Sequence, residues 1–183
     1  MLDIDKSLFM ESFFSKEEEW LSIIEKTREL INSDESFEEQ SVKDKILSFY
    51  YYYLDIIADH RHFISRQLLD KPNPVKLHFQ MSDYRSSFER LFEPMVDEAI
   101  KERLIKGILI LSPAYRKFFW LQHLFILRFW VTDESMDQDN TVALVEKSQK
   151  STFDFMGNLE WKSSIDFWKF VIQNPIKFKW KYE

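Results

Sequence analysis

No cysteine occurs in the 183 residues. Its absence removes disulfides, thiolate zinc sites and a cysteine nucleophile from the available chemistry, and it fits a reducing cytosol. Glycine is nearly as scarce: there are 2 glycines, at 107 and 157, and 5 prolines. Turn-rich β folds need both residues at many tight turns, so the chain reads as long helices with few connections. Two isolated glycines also cannot build a glycine-rich phosphate loop. Long apolar runs are missing too. The longest, Phe118–Val131, has 14 residues and contains Gln122, His123 and Arg128. A spanning helix needs about 20 apolar residues, so this is a core helix, and no stable membrane insertion is expected. MLDIDKSLF has no positive flank followed by an apolar run, hence no secretory signal is read. A cytoplasmic location follows as the expectation.

A basic excess is lacking as well. The net charge is -6, which disfavours nonspecific attraction to phosphate or anionic lipid. The acidity is concentrated at the start, where residues 1–40 carry 12 Asp/Glu against 4 Lys/Arg. What the chain has in abundance is aromatic surface, with 18 Phe, 7 Tyr and 6 Trp, and 45% hydrophobic residues overall. That is enough to bury a real core.

The periodicity predicts an all-α bundle of about seven helices. Ser15, followed by Glu17, Glu18 and Glu19, reads as the N-cap of a helix to Asn32, with Trp20, Ile23, Ile24, Thr27, Leu30 and Ile31 on one stripe. A polar loop, Ser33–Gln40, leads to Ser41, the expected cap of a helix running to about His60. Ile46, Phe49, Tyr50, Tyr53, Leu54 and Ile57 line one face of that helix, and the run Tyr50–Tyr53 wraps around it. A short helix near His62–Leu69 precedes the break Asp70-Lys71-Pro72-Asn73-Pro74. A helical pattern from Val75 to about Lys106 is interrupted or kinked by Pro94 and stopped by Gly107. Ser112-Pro113 opens the most apolar helix, to Thr132. After the polar turn Thr132–Ser135, a helix from Met136 to Met156 ends at Gly157, and Leu159–Gln173 reads as a last helix. The tail Ile176–Tyr182 alternates apolar and basic residues, a strand-like pattern.

No nucleophile–base pair and no cofactor motif can be read, so an enzyme is not expected. His60 and His62 lie two apart and point to different sides of a helix, which is poor geometry for one metal ion. His123, among Trp120, Leu124 and Leu127, is either a core or interface histidine satisfied by one hydrogen bond or a polar group facing a ligand cavity. Aromatic rings at helical spacing are usually core. Bulky rings also leave gaps where helices cross, and ligand sites are apolar cavities with a few polar groups. Tyr53, Phe79, Tyr84, Phe88, Trp120 and His123 are the candidate pocket residues, with His78 a further polar candidate.

The segment Ile4–Trp20, IDKSLFMESFFSKEEEW, resembles the stretch of TetR-type transcriptional regulators in which the DNA-recognition helix passes into the first long helix. That family reads roughly Ser-Lys-Gly-Thr-Leu-Tyr-x-Tyr/His-Phe-x-Ser-Lys-Glu. Lys6 matches its first lysine, Phe9 its leucine and Phe13 its phenylalanine, and Ser15, Lys16 and Glu17 match the closing Ser-Lys-Glu. The order of the later helices agrees. Trp120–Ser148 looks like the helix pair that builds the four-helix dimer interface in that family.

The resemblance implies a remnant of a helix-turn-helix domain over residues 1–14 and a ligand-binding and dimerising domain over residues 15–183. It implies a homodimer through helices at about 114–132 and 137–156, with Phe125, Arg128, Phe129, Leu144, Val145 and Ser148 at the interface. It further implies an apolar or aromatic small-molecule effector that shifts the helix arrangement, no cofactor, and DNA contacts from Lys6 and Lys16. The departures concern DNA. Met10 and Ser12 replace the family's phosphate-contacting Tyr and its Tyr/His, Glu11 brings negative charge, and two helices of the DNA reader are missing ahead of Lys6. DNA binding is therefore expected only where an N-terminal helix-turn-helix is completed. The chain reads either as a truncated regulator or as a relative that has lost its DNA-binding half. A second reading is a DNA-free lipid- or isoprenoid-binding accessory protein on the same scaffold, with the tail Lys177–Tyr182 at a membrane surface or on a partner.

Overall fold

The computed structural model describes residues 2–69, 81–107 and 112–158, with side chains from Glu17 to Gly157 within those ranges. Among the described residues there are six α-helices and no strand: α1 (Leu2–Ser33), α2 (Val42–Ala58), α3 (Arg61–Leu68), α4 (Ser82–Lys101), α5 (Ser112–Thr132) and α6 (Asp139–Asn158). Single 3-10 turns, Phe37–Glu39 and Met136–Gln138, precede α2 and α6. The all-α expectation holds. The expected helix at 159–173 and the tail 176–182, on which the lipid-accessory reading leans, lie outside the described residues. No helix among the described residues is long and apolar enough to cross a membrane.

Helix α1 overturns one expected boundary. Ser15 does not cap a helix, because α1 runs unbroken from Leu2 through Ser15 to Ser33. The first 33 residues contain neither Pro nor Gly, so nothing in them stops helix propagation, and a local cap signal loses to the continuing hydrogen-bond ladder. The buried stripe of α1 is Trp20, Ile23, Ile24, Thr27 and Ile31, while Leu30 near the helix end is exposed. Thr27 satisfies its buried hydroxyl on Ile23 O at 2.9 Å.

Helix α2 starts where expected. Ser41 has extended backbone and its hydroxyl accepts from Asp44 N. All six residues of the predicted face are buried. The tyrosine run divides its roles: Tyr50 and Tyr53 enter the core, Tyr51 donates to Glu146 at 3.0 Å, and Tyr52 donates to Asp34 at 2.8 Å across the α1–α2 loop.

Helix α4 contains Pro94 in its interior and ends earlier than Gly107. Its C-terminus is closed by two bonds, Arg103 N to Ile100 O (3.1 Å) and Leu104 N to Ala99 O (2.9 Å). This is the Schellman pattern, with its left-handed position taken by Arg103 at φ 60 instead of a glycine. The stop signal is thus a hydrogen-bond arrangement of a non-glycine residue, which composition does not reveal. Helix α6 continues one residue past Gly157. A Cβ there would lie 3.1 Å from Leu104 O, and Lys106 N bonds Met156 O beside it, so this glycine serves a close helix–loop approach.

The helices pack as one bundle. Helix α1 lies on α2 and α4, α4 on α5, and α6 on both α2 and α5, while short α3 packs against α5 and α2. Their apolar faces converge on one core that holds Trp20, Tyr50, Tyr53, Tyr84, Phe88, Phe92, Trp120 and Trp130.

Candidate functional site

Where α1, α2, α4 and α5 meet, the core is polar in an unusual way for so apolar a place. The Tyr53 and Tyr84 hydroxyls lie 2.5 Å apart, and the Tyr84 hydroxyl is 2.5 Å from His123 Nε2. A single line of hydrogen bonds therefore crosses from α2 through α4 to α5. Aromatic rings enclose it. Phe88 stacks on the His123 imidazole at 4.5 Å, Tyr53 meets it edge-on at 4.8 Å, and Trp120 packs on Tyr84 at 5.5 Å. Phe49 and Tyr50 close the α2 side, about 6 Å from the imidazole.

Burial fixes the charge of this site at zero. It drives the His123 pKa down to about 3, because the charged imidazolium would lose its hydration. Burial likewise pushes the Tyr50 and Tyr84 hydroxyls up, and that of Tyr53 despite its bond to Tyr84. All four side chains are neutral at physiological pH. Three buried polar atoms here have no hydrogen-bond partner among the described residues: His123 Nδ1, Tyr50 Oη and, on the indole that packs 5.0 Å from Tyr84, Trp20 Nε1. Buried polar groups are nearly always paired, so three orphans around one hydrogen-bonded line set this place apart from ordinary core.

The structure thus brings together five of the six expected pocket residues, Tyr53, Tyr84, Phe88, Trp120 and His123. The sixth, Phe79, lies outside the described residues, as does His78. Sequence reasoning missed Phe49, Tyr50 and Trp20 as members. Tyr50 and Trp20 already stood on the predicted apolar faces, and only the missing partners of their polar atoms mark them out.

A separate cleft of about 670 Å³ opens between α2 and the α5–α6 turn, lined by Leu54, Asp55, Arg61, Glu134 and Val142 among others. None of the expected pocket residues among the described ones lines it. Its floor is organised by Asp133, whose carboxylate accepts from Ser135 N and Oγ and from Thr141 N and Oγ1 at 2.6–3.0 Å. Loss of solvent acts to raise its pKa, but these four bonds outweigh it and hold the group down at about 2. Arg61 donates to Asp133 O at 2.9 Å and lies over the Trp130 ring at 5.0 Å, placing a cation at the C-terminal end of α5. Of the two other histidines weighed, His60 Nδ1 faces Glu19 Oε1 at 3.1 Å and His62 is exposed on α3.

On the outer side of α5, Leu121, Phe125 and Phe129 are exposed at successive four-residue spacing, with Phe125 at 58%. Phe155 of α6 is exposed beside Phe118, with which it stacks at 6.2 Å. Arg128 is exposed, and Leu144 and Ser148 are partly buried, the serine accepting from Gln122 at 3.0 Å. Val145 is fully buried within the protomer, so its side chain does not belong to this outer face. Adjacent helical residues point about 100° apart, and Leu144 and Val145 cannot both look outward. Lys6 and Lys16 fall on α1.

A family model described as "Tetracyclin repressor-like, C-terminal domain" matches residues 45–171, more than half of the chain. The chain belongs to this family. Comparison with curated proteins and with solved structures returns no match. The TetR-like match spans α2 to α6 and so contains the hydrogen-bonded line, the cleft and the exposed face of α5, while α1 adds Trp20 from outside the matched residues.

Proposed function

We propose that this chain is the effector-binding and dimerising part of a TetR-type transcriptional regulator. The observation that carries the reading is the row Leu121, Phe125 and Phe129, left exposed on α5 beside Phe155, in a chain whose residues 45–171 match the TetR-like C-terminal domain. An apolar stripe of this kind is covered in a stable assembly, and a second copy offers the same stripe about a two-fold axis. The interface would comprise Phe125, Arg128, Phe129, Leu144 and Ser148, joined by Leu121 and Phe155.

The effector is an apolar or aromatic small molecule held at the line Tyr53–Tyr84–His123, with Phe88 and Trp120, and Phe79 as the sixth contact. It acts by favouring one helix arrangement over another. Residues 1–14 belong to the DNA-reading side and residues 15–183 to the sensing side, with α1 continuing from one to the other. Lys6 and Lys16 contact DNA only where a helix-turn-helix is completed ahead of them. The protein works in the cytoplasm and is not an enzyme.

Sedimentation equilibrium at micromolar concentration tests the reading. The expected mass is twice the 22.4 kDa of one chain. A mass of one chain across that range removes the dimer, and with it the regulator proposed here.

A further inference from the structure

We propose that the effector of this chain is an uncharged aromatic carbonyl compound, whose oxygen accepts hydrogen bonds from the buried donors of His123 and Tyr50. The inference rests on the effector-binding reading above and adds the chemistry of the ligand to it.

The argument begins with proton bookkeeping along Tyr53–Tyr84–His123. A neutral imidazole carries one N–H, and two arrangements are possible. If Nε2 carries it, Nε2–H donates to Tyr84, Tyr84 donates to Tyr53, and the Tyr53 proton is stranded along with a bare Nδ1. If Nδ1 carries it, Tyr53 donates to Tyr84 and Tyr84 donates to Nε2, leaving only Nδ1–H without a partner. The second arrangement strands one group instead of two, and an unsatisfied buried group is costly. His123 therefore presents Nδ1–H as a free donor. Tyr50 presents its O–H, and Trp20 presents Nε1–H, which can only donate. The Nδ1–H of His123 and Nε1–H of Trp20 can only donate, and among the described residues no acceptor stands within hydrogen-bond distance of either or of the Tyr50 hydroxyl, so the partner they lack is an acceptor.

Charge then narrows the class. Among the described residues, the rings packed around the imidazole are those of Phe49, Tyr50, Tyr53, Tyr84, Phe88 and Trp120, none of them ionised. A carboxylate or ammonium head would lose its hydration among these neutral rings, which is strongly unfavourable. A carbonyl oxygen has two lone pairs and no charge, so it loses little on entry and can meet both donors. A flat aromatic body matches the enclosing rings, which favour offset and edge-on contacts. The donors are already desolvated before the ligand arrives, so its gain per hydrogen bond exceeds that at a wet surface.

Three molecules of one shape separate the alternatives: fluorenone, fluorene, which lacks the oxygen, and fluorene carboxylate, which carries a charge. Each is titrated into the full chain with tryptophan fluorescence and calorimetry as readouts. Fluorenone is expected to saturate, fluorene to bind at least tenfold more weakly, and the carboxylate not to saturate. Tyr50→Phe removes one donor and leaves no further group unpaired. It is expected to weaken fluorenone about tenfold, leave fluorene unchanged and not lower the melting temperature. Equal binding of fluorene or of the carboxylate, or a Tyr50→Phe protein that keeps its preference for fluorenone, overturns the carbonyl class while leaving the site intact. Saturation by none of the three overturns the inference and removes the effector-binding part of the proposed function as well. That is also the outcome expected if a resident water satisfies these donors.

Discussion

The Tyr84 hydroxyl and His123 Nε2 lie 2.5 Å apart with both side chains fully buried. This bond ties α4 to α5, and burial holds the imidazole neutral, with consequences that can be read in the pH dependence of stability. The pKa of His123 is about 3 in the folded protein against 6.5 ordinarily. Below pH 6.5 the unfolded chain takes up a proton that the folded chain refuses. Stability therefore falls as pH drops from about 6.5 towards 3, by up to about 1.4 kcal/mol per pH unit from this group. A His123→Phe variant is expected to be less stable at pH 7.5, since Tyr84 loses its acceptor, yet to show a shallower slope between pH 6 and 4. Urea denaturation across that range measures both, and parallel slopes for the two proteins would refute the assignment.

Asp133 acts in the same direction, but at lower pH. Its pKa is held at about 2 against the ordinary 3.8, so its contribution is complete above pH 4 and is lost as pH falls through 2. Asp133→Asn keeps the shape but gives up the charge and one acceptor, and the bonds to Thr141 N and Oγ1 at the start of α6 weaken. A loss of about 1.5–3 kcal/mol is expected at pH 7, nearly vanishing by pH 2. Thermal melts of the two proteins at both pH values check this.

Phe125 is the most exposed member of the α5 row. Phe125→Arg is expected to convert a dimer into a monomer of 22.4 kDa without altering the far-ultraviolet circular dichroism, because no core contact is lost. Retention of the dimer mass would place the interface elsewhere on the bundle.

Arg103 occupies the left-handed position of the α4 C-terminus at φ 60. Such a conformation costs a non-glycine residue about 1 kcal/mol or more, and its side chain is exposed. Arg103→Gly is expected to stabilise the protein by about 0.5–1 kcal/mol in chemical denaturation. Destabilisation would mean that the arginine side chain makes a contact worth more than the strain.

Much of the fold was legible because helix period and caps are local signals. Ser41 caps α2 and Pro113 opens α5 through interactions within four residues of chain, and the buried face of α2 follows from spacing alone. The misreadings share a different cause. Ser15 carries a correct cap signature, but whether a cap forms depends on what precedes it, and the preceding residues continue the helix. Gly107 looked like a stop, yet α4 is closed by Arg103 and Leu104 bonding back to Ile100 and Ala99. Val145 has the right composition for an interface and the wrong angle. That Tyr53, Tyr84, Phe88, Trp120 and His123 would meet in one core was legible from aromatic and polar residues at helical spacing. Which polar atoms would be left over was not, since that is a property of how four helices cross. Tyr50 and Trp20 are orphaned by geometry and not by sequence.

The continuity of α1 has a mechanical consequence. From Trp20, which touches the Tyr84 ring, to Leu2 is a distance of roughly 27 Å along the axis. An unbroken helix pivoting near Trp20 moves its far end by about 2 Å for each 5° of tilt. A displacement of one indole by a fraction of an ångström is thus magnified at the opposite end with no intermediate joint to absorb it.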